Sequence, residues 1–483
     1  MQTQWIGEAL AAELDRQSKE GLSRQLVRLL RQWIAAGRLP GNARLPASRD
    51  LAHTLTLGRN TVLEAYEQLL AEGYVVTRPG AGTFVCGLFD TAAPAPAARR
   101  LVTGLSARGV RLQRDTQRDD QYTGAFIPCI PEIRHFPYHA WQQLLTRHQR
   151  QASVHDFNYQ SEGGVRALRE ALADYLSLSR SVRCHADRIL ITHGTQESLS
   201  LCAHMLADPG DVAWMEDPGY TGARTAMQSA GLDLVAAPVD AAGLNPALVT
   251  DPRPPRLIYA TPSHQYPCGV TMPLERRLAL LQRAEASNAW IIEDDYDSEF
   301  RYDSQPLPAL QGMANDERVI YLGTMSKVMY PGLRIGYIVV PDALIDAFRS
   351  ANARLFPEGH YPLQSALAEF IDNGQFARHI RAMRELYQQR QHVLRRAFAR
   401  SAAESWYLSP GQAGMHLIAT LPDHLDEERL RADAARERIW LATMSRSYLA
   451  SPGRQGLILG YAGVAEHEIE RGVDIIARLA ARR

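Results

Sequence analysis

Five short apolar runs recur through the middle of this 483-residue chain: Arg188-Ile-Leu-Ile-Thr192, Asp211-Val-Ala-Trp-Met215, Pro255-Arg-Leu-Ile-Tyr259, Ala289-Trp-Ile-Ile292 and Val319-Ile-Tyr-Leu322. Each has the length of a strand, and helical spacing separates one from the next. Alternation of that kind implies a mostly parallel α/β sheet, with sites at the C-terminal ends of its strands. Residues 123 to 483 read as one such body.

The last of those runs leads into Thr324-Met-Ser-Lys327. All but two of the 53 lysine and arginine residues are arginine, and the exceptions are Lys19 and Lys327. An ammonium can lose its proton in a suitable site and then attack a carbonyl carbon; a guanidinium in a protein cannot. The chemistry that needs such a lysine is Schiff-base formation, most familiarly with pyridoxal 5'-phosphate (PLP). A chance surface lysine is the bland alternative. Against it, Thr324, Ser326 and Arg334 supply two hydroxyls and a guanidinium, which suit a phosphate dianion. Pro331-Gly332 forces a turn, and Ile335 to Val340 reads as a buried strand. The segment resembles the lysine motif of fold-type-I PLP enzymes, the aspartate aminotransferase superfamily.

Residues 1 to 88 follow a different pattern. Leu26, Leu29, Leu30, Trp33 and Ile34 are spaced as on a helix from Ser23 to Ala36. Ser48 is placed to cap a short helix from Arg49 to Leu55. A third helix, Arg59 to Glu72, is expected to bury Val62, Tyr66, Leu69 and Leu70. Tyr74 to Val85 reads as a hairpin with a Gly-rich tip at Pro79 to Gly82. Three helices and a hairpin make a winged helix-turn-helix. From Arg24 to Asn60 stand seven arginines and one acid, Asp50, in a chain of zero formal charge. That is the local basic face a phosphate backbone requires, although any single arginine there could simply be solvated. Arg59-Asn60-Thr61 open the third helix with side chains able to reach base edges in a major groove.

The pieces Gly41-Asn-Ala-Arg-Leu-Pro-Ala-Ser-Arg49, Gly58-Arg-Asn-Thr-Val62, Ala71-Glu-Gly-Tyr74 and Gly82-Thr-Phe84 resemble the GntR-type DNA-binding domain. The resemblance implies that Arg44, Ser48, Arg49, Arg59, Asn60, Thr61, Arg78 and the wing around Gly82 meet double-stranded DNA. Residues 89 to 122 are Ala/Pro-rich and then polar with mixed charge, and read as an extended tether. Five dispersed cysteines without a CxxC pair argue against zinc or a disulfide framework and for a reducing compartment. Met1 to Arg16 carries three acids and no long apolar core, so it is not a signal peptide. No apolar run approaches the ~20 residues that span a bilayer. The expectation is a soluble cytoplasmic protein with no metal.

In the body, further stretches resemble the aminotransferase superfamily. His193-Gly-Thr-Gln-Glu-Ser-Leu199 follows a strand and opens a helix, where free amides bind phosphate; the resemblance puts Thr195 and Gln196 there. Asp217-Pro-Gly-Tyr220 places Tyr220 as the ring-stacking aromatic, with a structural tyrosine as the plain alternative. Ile291-Ile-Glu-Asp-Asp-Tyr-Asp-Ser-Glu-Phe300 puts carboxylates at the end of an apolar strand. PLP needs one buried carboxylate to keep its ring nitrogen protonated. Asp294 and Tyr296 take the roles at ring nitrogen and ring hydroxyl, with Asp295 as the fallback for the first. Tyr159 matches the tyrosine that reaches a neighbouring subunit's phosphate, which implies a homodimer, head-to-tail in one arrangement.

Two departures stand out. Tyr266 occupies the place of the superfamily's Asn before Pro267. The stretch Gly456-Leu-Ile-Leu-Gly-Tyr461 is apolar where many members carry a carboxylate-binding arginine; Arg446, upstream, is the substitute for an effector. The whole order resembles the MocR-type regulators of the GntR superfamily. It implies a PLP-dependent transcription factor that senses an amine, an amino acid or PLP itself. A working aminotransferase with a DNA anchor, and a DNA-binding protein whose body only dimerises it, are the alternatives.

Overall fold

The structure is a computed structural model and describes residues 4–87, 104–115, 124–302, 307–401, 406–450 and 453–481. The chain divides into two compact units, Met1–Gly104 and Leu105–Arg483.

The first unit contains α1 (Gln4–Glu13), α2 (Leu22–Ala35), α3 (Ser48–Leu55), α4 (Arg59–Ala71) and an antiparallel hairpin of β1 (Val75–Arg78) and β2 (Gly82–Val85). Helix α1 was not legible in the sequence: Ile6 and Leu10 are its core anchors, too few to set a period. Ser48 does not cap α3; the cap position is Ala47, and Ser48 opens the first turn. Leu70 is 41% exposed because the buried stripe of α4 runs through Val62, Ala65, Tyr66 and Leu69. Tyr66 donates from its hydroxyl to the Pro46 carbonyl at 2.9 Å, which ties α4 to the segment before α3.

The second unit opens with α5 (Ala107–Asp115), inside the stretch read from sequence as an extended tether. Arg108 of α5 donates to the Ser229 carbonyl at 3.2 Å. The remaining elements are α6 (Tyr138–Gln151), α7 (Arg166–Arg180), β3 (Ile189–Thr192), α8 (Thr195–Leu206), β4 (Val212–Asp217), α9 (Thr221–Ser229), β5 (Asp233–Asp240), β6 (Gly243–Leu244), β7 (Leu257–Ala260), α10 (Leu274–Ser287), β8 (Trp290–Asp295), α11 (Leu310–Met313), β9 (Val319–Thr324), β10 (Gly336–Val339), α12 (Ile345–Leu355), α13 (Tyr361–Asp372), α14 (Gln375–Arg400), β11 (Tyr407–Leu408), β12 (His416–Thr420), α15 (Glu427–Arg436), β13 (Ala442–Thr443), β14 (Gly456–Gly460) and α16 (Glu466–Ala481).

An eight-stranded sheet has the order β3-β10-β9-β8-β7-β4-β5-β6. Strands β9, β8, β7, β4 and β5 pair in parallel, whereas β10 runs antiparallel to both β3 and β9. The sheet is fully buried along β3, β7, β9 and β10, which is why those segments read as continuous apolar runs. A second, antiparallel sheet has the order β11-β12-β14-β13. Leu417 and Leu459 on one of its faces join the large core formed with α14 and α16, whereas Ile418 and Ile458 form a separate cluster on the other. No helix among the described residues is long and apolar enough to cross a membrane.

Candidate cofactor site and nucleic-acid surface

The C-terminal ends of β3, β4, β7, β8 and β9 each carry one of the loops singled out from the sequence. After β9, the Ser326 amide donates to Thr324 Oγ1 at 3.1 Å and the Met325 amide to the Ile335 carbonyl at 2.9 Å. This closes a tight loop that holds Lys327 between the buried Ser326 and Val328. Gly336 pairs with both Thr192 and Thr324, so it draws the lysine loop onto the loop after β3. A Cβ on Gly336 would lie 2.8 Å from Gly194 Cα, closer than packing allows. Gly194 caps α8 with φ at 109°, a conformation suited to glycine. A Cβ there would meet the Arg334 guanidinium at 3.3 Å. The structure thus brings Arg334 and the end of β9 at Thr324 to the N-terminus of α8, where the amides of Thr195 and Gln196 lack intrahelical acceptors, with Ser326 following in the same loop. The Gln196 side chain is spent elsewhere: Nε2 donates to the Gly222 carbonyl at 3.0 Å.

The carboxylates at the end of β8 are buried, and each has its own partner. Glu293 accepts from the amides of Leu310 and Gln311. Asp295 accepts from Arg180 Nε at 2.7 Å and Tyr321 Oη at 2.6 Å. Asp294, on the opposite face, accepts from Tyr259 Oη at 2.8 Å through Oδ2 only. Its Oδ1 is buried with no partner. Burial pushes the Asp294 carboxyl up to about 7, and the neighbouring Lys327 charge opposes that rise. Strand alternation therefore separates the two aspartates that the sequence left open: Asp295 serves an internal ion pair, and Asp294 has an acceptor to offer.

Beside Asp294 lies a set of side chains that sequence reasoning did not single out. His264 Nδ1 is 3.0 Å from Asp297 Oδ1 and 3.0 Å from Tyr296 Oη. Asp297 and His264 are 1% and 2% exposed. His416 on β12 donates from Nε2 to the Pro267 carbonyl at 2.9 Å and lies near Cys129 Sγ. Burial lowers the His416 pKa to about 3, so it is neutral. Glu216, at the end of β4, accepts from the Thr261 hydroxyl and from Gln265. Asp297 and Tyr296 lie in the acidic stretch after β8, but His264 is 33 positions from the first and 32 from the second, and His416 and Cys129 are farther still, a separation that no local signal bridges. Tyr220 packs edge-on to Tyr266, with centroids 5.9 Å apart, and Tyr266 packs likewise on Tyr296.

Two further expected residues stand differently. Tyr159 is 85% exposed. Arg446 is engaged by Glu428, with Nε and Nη2 at 2.9 and 3.0 Å from its two oxygens. Burial would raise the Glu428 carboxyl, but hydrogen bonds from Arg446, Thr443 and Arg431 hold it at about 2. The guanidinium offered as a carboxylate grip already has a carboxylate.

In the first unit, Arg28, Arg31 and Arg38 pair with Glu20, Glu72 and Glu13, acids lying outside the basic stretch. Among the described residues no ion pair engages Arg44, Arg49 or Arg59, which are exposed. Arg59 and Asn60 open α4 on the surface, with Thr61 half-buried behind them. A Cβ on Gly82 would lie 3.3 Å from Arg44 Nε, so Arg44 runs along the wing. Arg78 donates to Asn42 Oδ1 at 2.8 Å and lies over the Phe84 ring at 4.6 Å.

Residues 22–85 match the family of bacterial regulatory proteins described as gntR, and residues 132–476 match aminotransferase class I and II. The chain is 43% identical over 470 residues to the probable rhizopine catabolism regulatory protein MocR of Rhizobium meliloti, covering 95% of this chain and 94% of that one. It is 31% identical to the HTH-type pyridoxine biosynthesis transcriptional regulator PdxR of Corynebacterium glutamicum, covering 82% of each. Among solved structures it resembles LysN, the α-aminoadipate aminotransferase of Thermus thermophilus, with a TM-score of 0.69 and 25% identity, covering 78% of this chain and 95% of that one. An archaeal alanine:glyoxylate aminotransferase gives a TM-score of 0.70 at 25% identity, covering 79% of this chain and 96% of that one. A gntR-family DNA-binding domain joined to a class I and II aminotransferase domain, with relatives of the same order matched along nearly the whole length, places this chain in the MocR-type family of transcriptional regulators.

Proposed function

We propose that the chain is a PLP-dependent, DNA-binding regulator of transcription that carries PLP as a Schiff base on Lys327. Through that site it senses an amine, an amino acid or PLP itself. The observation that carries the cofactor reading is Asp294: a buried carboxylate oxygen without a partner, beside the lysine of an otherwise arginine-rich body. A pyridinium N–H is the donor such an oxygen lacks. When bound, PLP supplies an aldehyde that condenses with amines and a ring that draws electrons. The Arg334 guanidinium, the Thr324 and Ser326 hydroxyls and the amides of Thr195 and Gln196 would hold its phosphate. Tyr220 would lie on its ring and Tyr296 by its ring hydroxyl, while Asp294 keeps the proton on its nitrogen.

An amine ligand would compete with Lys327 for the same carbon. That competition offers two states of the body with different affinity for DNA, which is the coupling that regulation requires. Tyr159 supports a homodimer with shared sites, since it is too exposed to serve its own core. The deciding experiment is the visible spectrum of the purified protein with PLP, wild type beside Lys327→Ala. A band in the wild type alone is expected; no band in either refutes the cofactor reading. A monomeric mass in light scattering refutes the dimer. The retained lysine and aspartate also favour a second reading, residual transamination, for which steady turnover of an amino acid with a 2-oxo acid is the test.

A further inference from the structure

The far end of the candidate site is lined differently from the phosphate end. Ile458 on β14 pairs in register with Ile418 on β12 and Ala442 on β13. Ile418, Ile458 and Met444 form one buried cluster, against which Tyr266, Cys268, Ala442 and Tyr448 pack. Tyr266 joins this wall to the site, because its ring also touches Tyr220 and Tyr296. The ionisable groups buried nearby are already engaged by partners. Glu216 is held by Thr261 and Gln265, Asp297 by His264, and His416 by the Pro267 carbonyl. Arg446 is taken up by Glu428. Arg454 stands exposed at the rim, its own amide donating to Tyr448 Oη at 3.2 Å.

We infer that the effector recognised at this site is a primary amine whose body carries no carboxylate, its uncharged part lying against Ile418, Met444, Ile458 and Tyr266. The inference rests on the PLP reading and specifies the ligand class within it. A carboxylate placed against this wall would lose water, find no guanidinium among the side chains packed there and face the acid Glu216. An uncharged body gains by the same burial. This side of the sheet is thus selective by what it withholds.

The test compares amine and amino-acid pairs that differ by the α-carboxylate alone: isopentylamine against leucine, and benzylamine against phenylglycine. Each is titrated into the PLP-loaded full-length protein, with visible absorbance and calorimetry as parallel readouts. Each amine is expected to act at a concentration at least about tenfold below its amino acid, the minimum for an unpaired buried charge. Ile458→Arg is expected to narrow or reverse that ratio. Equal or tighter binding of the amino acids overturns the inference. So does a leucine response that Arg454→Ala abolishes, a variant outside the packed wall that serves if Ile458→Arg does not fold. An intact PLP band with no response to any amine overturns the inference and leaves the cofactor reading standing. A missing band in wild type removes the cofactor reading first and the inference with it.

Discussion

The two units use arginine in opposite ways. In the first, Arg44, Arg49 and Arg59 project from the surface, and their charge is available to a partner. In the second, Arg169, Arg180, Arg188, Arg277 and Arg390 are buried. Arg277 reaches the carbonyls of Met272, Pro308 and Pro262 at 2.7 to 3.1 Å, and Arg180 joins Asp295 to Ser263 Oγ. The planar fork of guanidinium donors suits this bracing of several loops at once, which a single ammonium does less well. On the proposed reading, a chain that employs arginine for both outer contact and inner bracing keeps Lys327 for the place where an amine must react. The contrast teaches that a count of basic residues says little until burial and partners are known.

Breaking an inner brace should have the largest effect. Asp295→Ala strands the Arg180 guanidinium in the core and is expected to lower stability by about 3–5 kcal/mol, read by urea unfolding of the cofactor-free protein. A loss below about 1 kcal/mol would erase the distinction between the two units. Arg59→Ala should leave the melting temperature unchanged and weaken operator binding by roughly 10–100-fold. Unchanged affinity would remove Arg59 from the reading helix.

A smaller effect is expected from Asp294→Asn, and it depends on pH. Burial raises the folded carboxyl from 3.8 to about 7. Its stabilising contribution is complete below the lower value and is lost as pH rises through the higher one. The cofactor-free wild type should therefore lose roughly 2–3 kcal/mol relative to Asp294→Asn between pH 5 and pH 8. Parallel stability curves for the two proteins would show that Asp294 is not forced to ionise in a buried place. Arg446→Ala, at a half-exposed pair with Glu428, should cost less than about 1 kcal/mol and leave the visible spectrum unchanged.

Much of this architecture was readable from local pattern. The apolar runs ending at Thr192, Tyr259 and Leu322 became strands because burial on both faces leaves a continuous apolar signature. The lysine loop was readable because a rare residue stood among hydroxyls. What local pattern could not supply was which face a residue takes. Asp294 and Asp295 are adjacent in sequence, and their difference depends on Tyr259 and Arg180, 35 and 115 positions away. Helix α5 escaped notice because its sequence, ARGVRLQRD, is mostly polar. The acids that neutralise Arg28, Arg31 and Arg38 are hidden from a local charge pattern because Glu20, Glu72 and Glu13 lie outside the basic stretch.

The alternation along β14 has a consequence for how such a protein can diverge. Leu457 and Leu459 point into the large core, and Ile458 between them points the other way. If the inferred ligand wall holds, substitution at that one position would rewrite it without disturbing the packing that holds the sheet to α14 and α16. On that reading, lineages that share this scaffold would part company in what they detect through a single inherited change, while the means of holding the detector stays common property.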